Sequence, residues 1–234
     1  MTENLQQDQK FVQKVFDKVY SKYDLMNDLM SFGIHRSWKR KLIAAMNPSK
    51  DHSLIDVGCG TGDIGKLFSL ATDFNSKILS VDPNFKMIDE GKKRLKKYKN
   101  IEWKVCSAEK LCVKDQTFDF YTISFGLRNT SNKKKAISEA YRVLKNGGRF
   151  LCLEFSKIEN PNLEYIYKKY SNLIPIFGKI VVGEKEPYEY LIKSIDKFMN
   201  QDELLDIIKA EGFVDSNYVN LSGGIVAIHS GWKI

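Results

Sequence analysis

The sequence is poor in cysteine, histidine and proline, and it lacks any long hydrophobic run. Its four cysteines form no CxxC pair and are interpreted as small buried side chains. The three histidines are scattered without the spacing of metal ligands, so no metal is expected. No apolar run approaches the roughly 20 residues that a membrane-spanning helix needs. The first ten residues are acidic and amide-rich, unlike a secretory signal, which predicts a cytoplasmic protein.

Positive charge is in excess and is concentrated in two short segments. The formal net charge is +8, and the densest basic segments are Lys92–Lys99 and Lys133–Lys135. Such runs are typical of solvated helix faces, and they also suit contact with an anionic membrane surface or an acidic partner. The basic residues are not interleaved with stacking aromatics, and no nucleic-acid motif is present, so no nucleic-acid partner is expected.

The order of apolar runs predicts a parallel sheet with helices on both faces. A length of 234 residues suits one domain, 1–234, with modest insertions. From residue 50 onward, short apolar runs alternate with segments of helical period, as in βαβ units. The predicted parallel strands are 54–57, 78–82, 101–105, 118–125 and 149–155. The predicted helices include 85–98, 132–145 and 202–211.

Two further strands and two helical additions complete the predicted α/β fold. Strands 213–220 and 225–230 are joined by the short turn Ser222-Gly223-Gly224, which predicts an antiparallel hairpin. Residues 8–46 have helical periodicity, so 1–50 is interpreted as an N-terminal helical lid. Residues 156–200 are aromatic-rich and are interpreted as a helical insertion. The result is a doubly wound, Rossmann-like, seven-stranded sheet, mostly parallel, and it resembles the arrangement of class I methyltransferases.

A glycine-rich loop follows the first predicted strand and is the first candidate for a binding site. Gly58 and Gly60 let the chain turn sharply and let a ligand approach the backbone. Ligands of such sheets bind at the carboxyl ends of the strands, where this loop lies. Asp82 ends the second strand, and a carboxylate there can accept hydrogen bonds from both hydroxyls of a ribose.

The loop permits more than one ligand. Residues 60–65 satisfy the GxGxxG pattern, which with Asp82 is also compatible with a nicotinamide or flavin dinucleotide. However, Asp56 and Asp63 bracket the glycines and place negative charge where a pyrophosphate would lie. The ammonium group of a methionine suits that position better, which favours S-adenosylmethionine. A purely structural glycine turn remains the third interpretation.

Two other segments fall at predicted strand ends. Ser107 and Ala108 follow the third strand and can offer hydrogen bonds to an adenine ring. Ser124 ends the fourth strand, beside the expected position of the sulfonium. Serine and alanine at strand ends are also common for structural reasons alone, so these residues carry little weight by themselves.

Three motifs together resemble the ubiquinone/menaquinone biosynthesis C-methyltransferases, the UbiE family. They are Tyr23–Trp38 (YDLMNDLMSFGIHRSW), Ser124–Asn129 (SFGLRN) and Arg142–Arg149 (RVLKNGGR). The resemblance implies cofactor contacts through Thr61, Asp82, Ser107, Ala108 and Ser124. It also implies S-adenosylmethionine-dependent C-methylation of a polyprenylated quinol, 2-methoxy-6-polyprenyl-1,4-benzoquinol, in ubiquinone biosynthesis, with demethylmenaquinol as a further substrate.

Position and resemblance assign the candidate catalytic residues. Arg128 lies just past the fourth strand, and we expect it to stabilise a phenolate, with Asn129 and Tyr23 completing the hydrogen bonds. The alternative for Arg128 is a surface salt bridge.

Several interpretations of the whole protein stay open. A methyltransferase for another small molecule and a non-catalytic assembly protein are the two rival functions. Contact with the membrane or with a biosynthetic complex, formation of a homodimer, and a peripheral location at the inner membrane (the matrix side in a mitochondrion) are also compatible with the sequence.

Overall fold

The protein forms a seven-stranded sheet covered by helices on both faces. The structure is a computed structural model, and it describes residues 14, 15, 17, 27, 28, 31, 33–181, 183 and 185–234. The strand order is β3-β2-β1-β4-β5-β7-β6, in which β1 to β5 are parallel and β7 is antiparallel to both of its neighbours. This confirms the predicted fold class, including the C-terminal hairpin.

The elements alternate along most of the chain. The strands are β1 (Leu54–Val57), β2 (Ile78–Asp82), β3 (Ile101–Val105), β4 (Phe118–Ser124), β5 (Leu144–Phe155), β6 (Val214–Leu221) and β7 (Val226–Trp232). The helices are α1 (His35–Met46), α2 (Asp63–Ala71), α3 (Phe85–Arg94), α4 (Lys133–Val143), α5 (Pro161–Val181), α6 (Glu186–Lys197) and α7 (Gln201–Ala210). A short 3₁₀ turn, Leu127–Asn129, follows β4.

The central strands are apolar on both faces because each face is covered. Alternate residues of β1 divide between two core layers, with Ile55 in one and Leu54 in the other. Helices α4 and α7 supply the first layer through residues such as Ile137 and Leu204. Helices α1 and α2 supply the second, through residues such as Leu42. A strand buried on both sides reads as a continuous apolar run, which is why these strands could be predicted.

Some element ends differ from the sequence prediction. Helix α3 ends at Arg94 rather than at residue 98, because its C-terminal turn packs Leu95 and Tyr98 into the core. Strand β5 begins at Leu144, five residues before its predicted start, because Leu144 pairs with Phe118 ahead of an irregularity in the ladder. The Ser222–Gly224 turn and the hairpin lie where they were predicted.

The two helical additions are only partly described. Within 156–200 the structure shows α5 and α6, which pack against each other. Helix α1 is the described end of the predicted 8–46 helical region, about half of which lies outside the described residues. In the described part of the chain, no helix has the length and apolar composition needed to cross a membrane.

The prediction for the cysteines is wrong in part. Cys106 and Cys152 are buried as expected, but Cys112 is exposed and Cys59 is half-buried in the glycine loop.

Candidate active site

A cleft opens at the carboxyl ends of β1 and β4, where the strand order of the sheet reverses direction. This is the position at which open α/β sheets bind ligands. The side chains and backbone that line it are Lys39, Asp56, Gly58, Cys59, Thr61, Asp63, Ile64, Ser124 and Phe125. The cleft thus brings together Gly58, Thr61 and Ser124, three of the residues that the sequence assigned to cofactor binding.

The glycine loop takes a shape that only glycine adopts without strain. Gly58, Gly60 and Gly62 have φ values of 63°, 55° and 88°, all in the left-handed region. The loop is fastened to β2 by two backbone donors. The Cys59 amide donates to the Val81 carbonyl at 3.0 Å, and the Gly60 amide donates to Asp82 Oδ2, also at 3.0 Å.

Asp82 is a buried carboxylate with acceptor capacity to spare. It accepts one hydrogen bond from the Gly60 amide and one from the Asn84 amide, the latter at 2.8 Å. An ionised carboxylate offers about four acceptor positions, so two hydroxyls can still be bound. Burial raises the pKa of Asp82 to about 6, and the hydrogen bonds from Asn84 and Gly60 oppose that rise. These properties suit the ribose diol of a nucleoside.

Two buried oxygens beside the loop lack partners in the described part of the chain. Asp56 Oδ1 accepts from the Thr122 hydroxyl at 3.0 Å, but Asp56 Oδ2 has no partner, and neither has Ser124 Oγ. Desolvation raises the pKa of Asp56 to about 7. A buried acceptor without a partner is costly, and a donor supplied by a ligand removes that cost. The ammonium group of a methionine is such a donor, so the site fits S-adenosylmethionine.

Asp63 does not present the free negative charge that the sequence predicted. Its Oδ2 lies 2.7 Å from Lys39 Nζ, and its Oδ1 accepts from Arg94, which also donates to Thr61 Oγ1 at 2.7 Å. Burial would raise the pKa of Asp63, but the charges and hydrogen bonds of Lys39 and Arg94 outweigh it and hold the pKa well below its usual range. The expectation that Asp63 awaits an ammonium group is therefore wrong.

Ser107 and Ala108 lie at the end of β3, next to β2. The Cys106 amide donates to the Asp82 carbonyl at 3.2 Å, which places the two residues just beyond the ribose candidate. The Ser107 hydroxyl donates to Glu109, whose own amide donates back to Ser107 Oγ at 3.2 Å. The segment has the position expected of an adenine-binding edge.

Arg128 forms an ion pair in the interior rather than at the surface. Its Nη1 donates to Glu154 Oε1 at 2.8 Å and to the carbonyl of Phe125. The side chains of Arg128 and Glu154 are only 4% and 1% exposed, so the surface salt bridge considered for Arg128 is wrong. Phe125, which lines the cleft, has a φ of 56°, a strained conformation for an aromatic residue. The ion pair thus holds the backbone at the edge of the cleft.

Asn129 is tied to the helical insertion. Its Oδ1 accepts a hydrogen bond from the Tyr190 hydroxyl of α6 at 2.9 Å. Asn129 is half-buried and lies in the same 3₁₀ turn as Arg128. Tyr23, the third candidate catalytic residue, lies outside the described residues.

Four residues of the site were missed from the sequence. Arg94 lies in the basic segment Lys92–Lys99, which is typical of a solvated helix face, yet it contacts Thr61 and Asp63. Lys39 had a signal, since it shares the spacing of Leu42 and Met46 and is therefore a lysine on an apolar helix face. Glu154 and Tyr190 had none, because their partners lie 26 and 61 residues away along the chain. Among the described residues, no group of three or more histidine, cysteine, aspartate or glutamate side chains is suited to a metal ion.

Two solved structures that share the fold are methyltransferases. An S-adenosylmethionine-dependent methyltransferase from Thermotoga maritima matches with a TM-score of 0.67 and 20% identity, over 94% of this chain and 99% of that one. Phosphoethanolamine N-methyltransferase 2 of Haemonchus contortus, solved with S-adenosyl-L-methionine, matches with a TM-score of 0.63 and 15% identity, over 84% of this chain and 52% of that one. At these identities the likeness concerns the fold.

The family is shown by closer relatives. The ubiquinone/menaquinone biosynthesis C-methyltransferase UbiE of Rickettsia bellii is 50% identical over 97% of this chain and 94% of its own length. The enzyme of the same name from Rhizobium etli is 46% identical over 97% of this chain and 90% of its own length. The model of the ubiE/COQ5 methyltransferase family matches residues 3–233. The chain belongs to the ubiE/COQ5 methyltransferase family.

Proposed function

We propose that the protein transfers the methyl group of S-adenosylmethionine to a ring carbon of a polyprenylated quinol in ubiquinone biosynthesis, and that it also converts demethylmenaquinol to menaquinol. The observation that carries the cofactor assignment is the pair of buried, unpartnered oxygens, Asp56 Oδ2 and Ser124 Oγ, in the cleft beside the glycine loop. The names of the relatives, which are 46–50% identical over 97% of this chain, support the substrate.

The proposed cofactor contacts follow the geometry of the loop. Gly58, Gly60 and Thr61 surround the cofactor through the loop backbone, and Asp82 accepts hydrogen bonds from the ribose. Ser107 and Ala108 border the adenine, and Ser124 lies at the methionyl end. When bound, S-adenosylmethionine supplies an electrophilic methyl group. The loop and Asp82 fix its orientation, and held geometry of this kind can lower a barrier by roughly 7–11 kcal/mol in favourable cases.

The quinol must react in its reduced form. A quinone ring is electron-poor, whereas loss of a phenolic proton from the quinol concentrates charge on the neighbouring ring carbon. A guanidinium offers only hydrogen-bond donors, so Arg128 cannot be the base, but its positive charge can stabilise the phenolate. Asn129, with its Tyr190 partner, is our candidate for orienting the phenolic oxygen. Tyr23 remains the third candidate catalytic residue. Because Arg128 is paired with Glu154, the pair also keeps Phe125 in place at the edge of the cleft.

A surface of α5 suits the approach of a lipid-soluble substrate. Tyr165 and Ile166 are 60% and 63% exposed. Leu173, seven residues after Ile166 and therefore on the same face of the helix, is 48% exposed. Lys168 and Lys169 lie on the same helix, and Lys169 Nζ lies 4.5 Å from the centre of the Tyr165 ring. Helix α5 packs on α6, which carries the Tyr190 contact to Asn129. We propose that this apolar and basic surface, the α5 surface, meets the membrane in which the polyprenyl tail lies.

One assay separates the proposed function from its rivals. The protein is incubated with methyl-labelled S-adenosylmethionine and, separately, with 2-methoxy-6-polyprenyl-1,4-benzoquinol, demethylmenaquinol and the two oxidised quinones. Label on a ring carbon of a quinol, and none on the quinones, supports the proposal. Binding of S-adenosylhomocysteine without transfer to either quinol would indicate a methyltransferase for another small molecule. Failure to bind S-adenosylhomocysteine at all would favour the non-catalytic assembly protein.

A further inference from the structure

The cleft has an uneven distribution of charge. Two cations, Lys39 and Arg94, both contact the single carboxylate of Asp63. Asp56 is buried, and its Oδ2 has no partner among the described residues. Lys39, Asp56 and Asp63 line the same cleft. A cleft that offers both a cation, Lys39, and an acceptor without a partner, Asp56 Oδ2, can hold a zwitterion.

We propose that Lys39 binds the α-carboxylate of the methionyl group of the cofactor, while Asp56 takes the α-ammonium. This inference rests on the proposed function, because it presumes S-adenosylmethionine as the ligand. A lysine ammonium has three donors, and its bond to Asp63 uses one of them. Lys39 can therefore hold Asp63 and a ligand carboxylate at the same time. Its side chain is 9% exposed, so the contact forms away from bulk water.

A purely structural role for Lys39 explains less of the geometry. An ion pair that only neutralised Asp63 would need one cation, and Arg94 of α3 already supplies one. Charged groups are rarely buried without a paired function, and a second buried cation at the same carboxylate adds desolvation cost. A ligand carboxylate offsets the charge of Lys39. In this arrangement Asp63 orients Lys39 and is not itself a contact of the cofactor.

The inference is tested by calorimetry with two ligands that differ in one group. S-Adenosylhomocysteine carries both the ammonium and the carboxylate, whereas S-adenosyl-3-thiopropylamine keeps the ammonium and lacks the carboxylate. The parent protein should prefer the first ligand. Lys39→Met should weaken S-adenosylhomocysteine by about 10- to 100-fold, because a hydrogen bond to a charged group is worth about 1.5–3 kcal/mol. Its affinity for the amine should stay within threefold, so the preference is lost.

Three further variants keep the test decisive. Lys41→Met, an exposed position on the same helix, should leave both affinities unchanged. Lys39→Arg should retain the preference for the carboxylate ligand and serves if Lys39→Met does not fold. Asp63→Asn keeps an oxygen that can orient Lys39, and it should weaken S-adenosylhomocysteine less than Lys39→Met does.

Failure of this inference can be distinguished from failure of the proposed function. If Lys39→Met weakens both ligands equally, or if Asp63→Asn weakens S-adenosylhomocysteine more than Lys39→Met does, Lys39 is not the carboxylate partner. If the parent protein binds neither ligand, the proposed function itself fails.

Discussion

The Tyr190 hydroxyl donates to Asn129 Oδ1 at 2.9 Å, and this bond joins α6 to the turn that follows β4. Tyr190 lies in the segment that the sequence predicts to be an insertion, and Asn129 is a candidate catalytic residue. If Asn129 orients the quinol, loss of the bond should loosen the reacting geometry. Tyr190→Phe should lower kcat roughly fivefold, the equivalent of a neutral hydrogen bond of about 1 kcal/mol.

Steady-state kinetics on a soluble short-chain quinol, with calorimetry of S-adenosylhomocysteine, provide the measurement. Cofactor affinity should change less than twofold, because the hydroxyl that is removed donates to Asn129, in the turn after β4. Tyr165→Phe, an exposed tyrosine on α5, is the matched control and should keep the parent kcat. Unchanged kcat in Tyr190→Phe would show that the contact does not act on Asn129.

The buried pair of Arg128 and Glu154 allows stability and catalysis to be separated. Arg128→Met leaves Glu154 buried without its partner, which should lower the free energy of unfolding by about 3–5 kcal/mol. The double variant Arg128→Met with Glu154→Gln removes both charges and should recover most of that loss. Denaturant unfolding of the two variants measures the difference.

Catalysis should not recover with stability. If Arg128 stabilises the phenolate, the double variant folds but its kcat stays about 100-fold below the parent, with cofactor affinity nearly unchanged. Arg128→Lys should also be slow, because lysine cannot reproduce a guanidinium that contacts Glu154 and the Phe125 carbonyl through Nη1 and Ser194 Oγ through Nε at 3.4 Å. A double variant with kcat within threefold of the parent would remove Arg128 from the mechanism.

Ionised Asp56 should destabilise the folded protein, although it contributes to cofactor binding. Its pKa is about 7 in the folded protein because of burial, against about 3.9 in the unfolded chain. Between these values the folded state binds more protons, so the stability contributed by this group falls as the pH rises from about 4 to 7. Asp56→Asn should therefore raise the free energy of unfolding by about 2–4 kcal/mol at pH 8 and by less at pH 5. Urea unfolding at the two pH values tests this.

The same carboxylates should make cofactor binding depend on pH. The ammonium and ribose donors favour ionised Asp56 and Asp82, whose pKa values are about 7 and about 6 in the free protein. Affinity for S-adenosylhomocysteine should fall as the pH decreases from 8 to 5.5. In Asp56→Asn the affinity should be lower at every pH. Only the decrease in affinity near pH 6, which comes from Asp82, should remain. A flat profile in the parent would contradict the assignment of both carboxylates.

The last glycine of the loop is required by its backbone conformation and by a neighbouring aromatic ring. A Cβ at Gly62 would lie 2.4 Å from Cη2 of Trp103, and its φ of 88° is itself unfavourable for other residues. Gly62→Ala should cost about 2–4 kcal/mol of unfolding free energy, the sum of backbone strain and overpacking. Gly147→Ala is the control, since Gly147 has a φ of 77° but no neighbour within 4 Å. It should cost only the backbone strain, about 1–2 kcal/mol, and equal losses would exclude a role for Trp103.

The sheet and the residues at the ends of its strands could be predicted from the sequence. Strands buried on both faces appear as apolar runs, and parallel strands bring their carboxyl ends together, so Asp82 and Ser124 could be placed at one edge of the sheet from the sequence alone. The glycine loop could also be recognised, because each of its residues in the left-handed conformation is a glycine.

Pairings between distant segments could not be predicted in this way. Lys39 of α1 and Arg94 of α3 both contact Asp63. These two contacts rule out the role that the sequence predicted for Asp63. Glu154 lies inside an apolar strand, where nothing in the local pattern identifies Arg128 as its partner. Periodicity shows which face of an element is buried, but not which charged group meets it there.

The α5 surface gives the last prediction. Its exposed Tyr165, Ile166 and Leu173 are accompanied by lysines, and we expect it to bind vesicles that contain an anionic phospholipid such as phosphatidylglycerol. Co-sedimentation should be strong at low salt and weaken as salt rises, because surface charges are screened over about 8–10 Å near physiological ionic strength. Ile166→Glu should lower the bound fraction severalfold. Val219→Glu introduces the same charge at a residue of β6 that is 59% exposed, and it should bind like the parent. If both variants lose binding equally, net charge rather than the α5 surface governs the interaction, and equal binding to neutral vesicles at every salt concentration would exclude its electrostatic part.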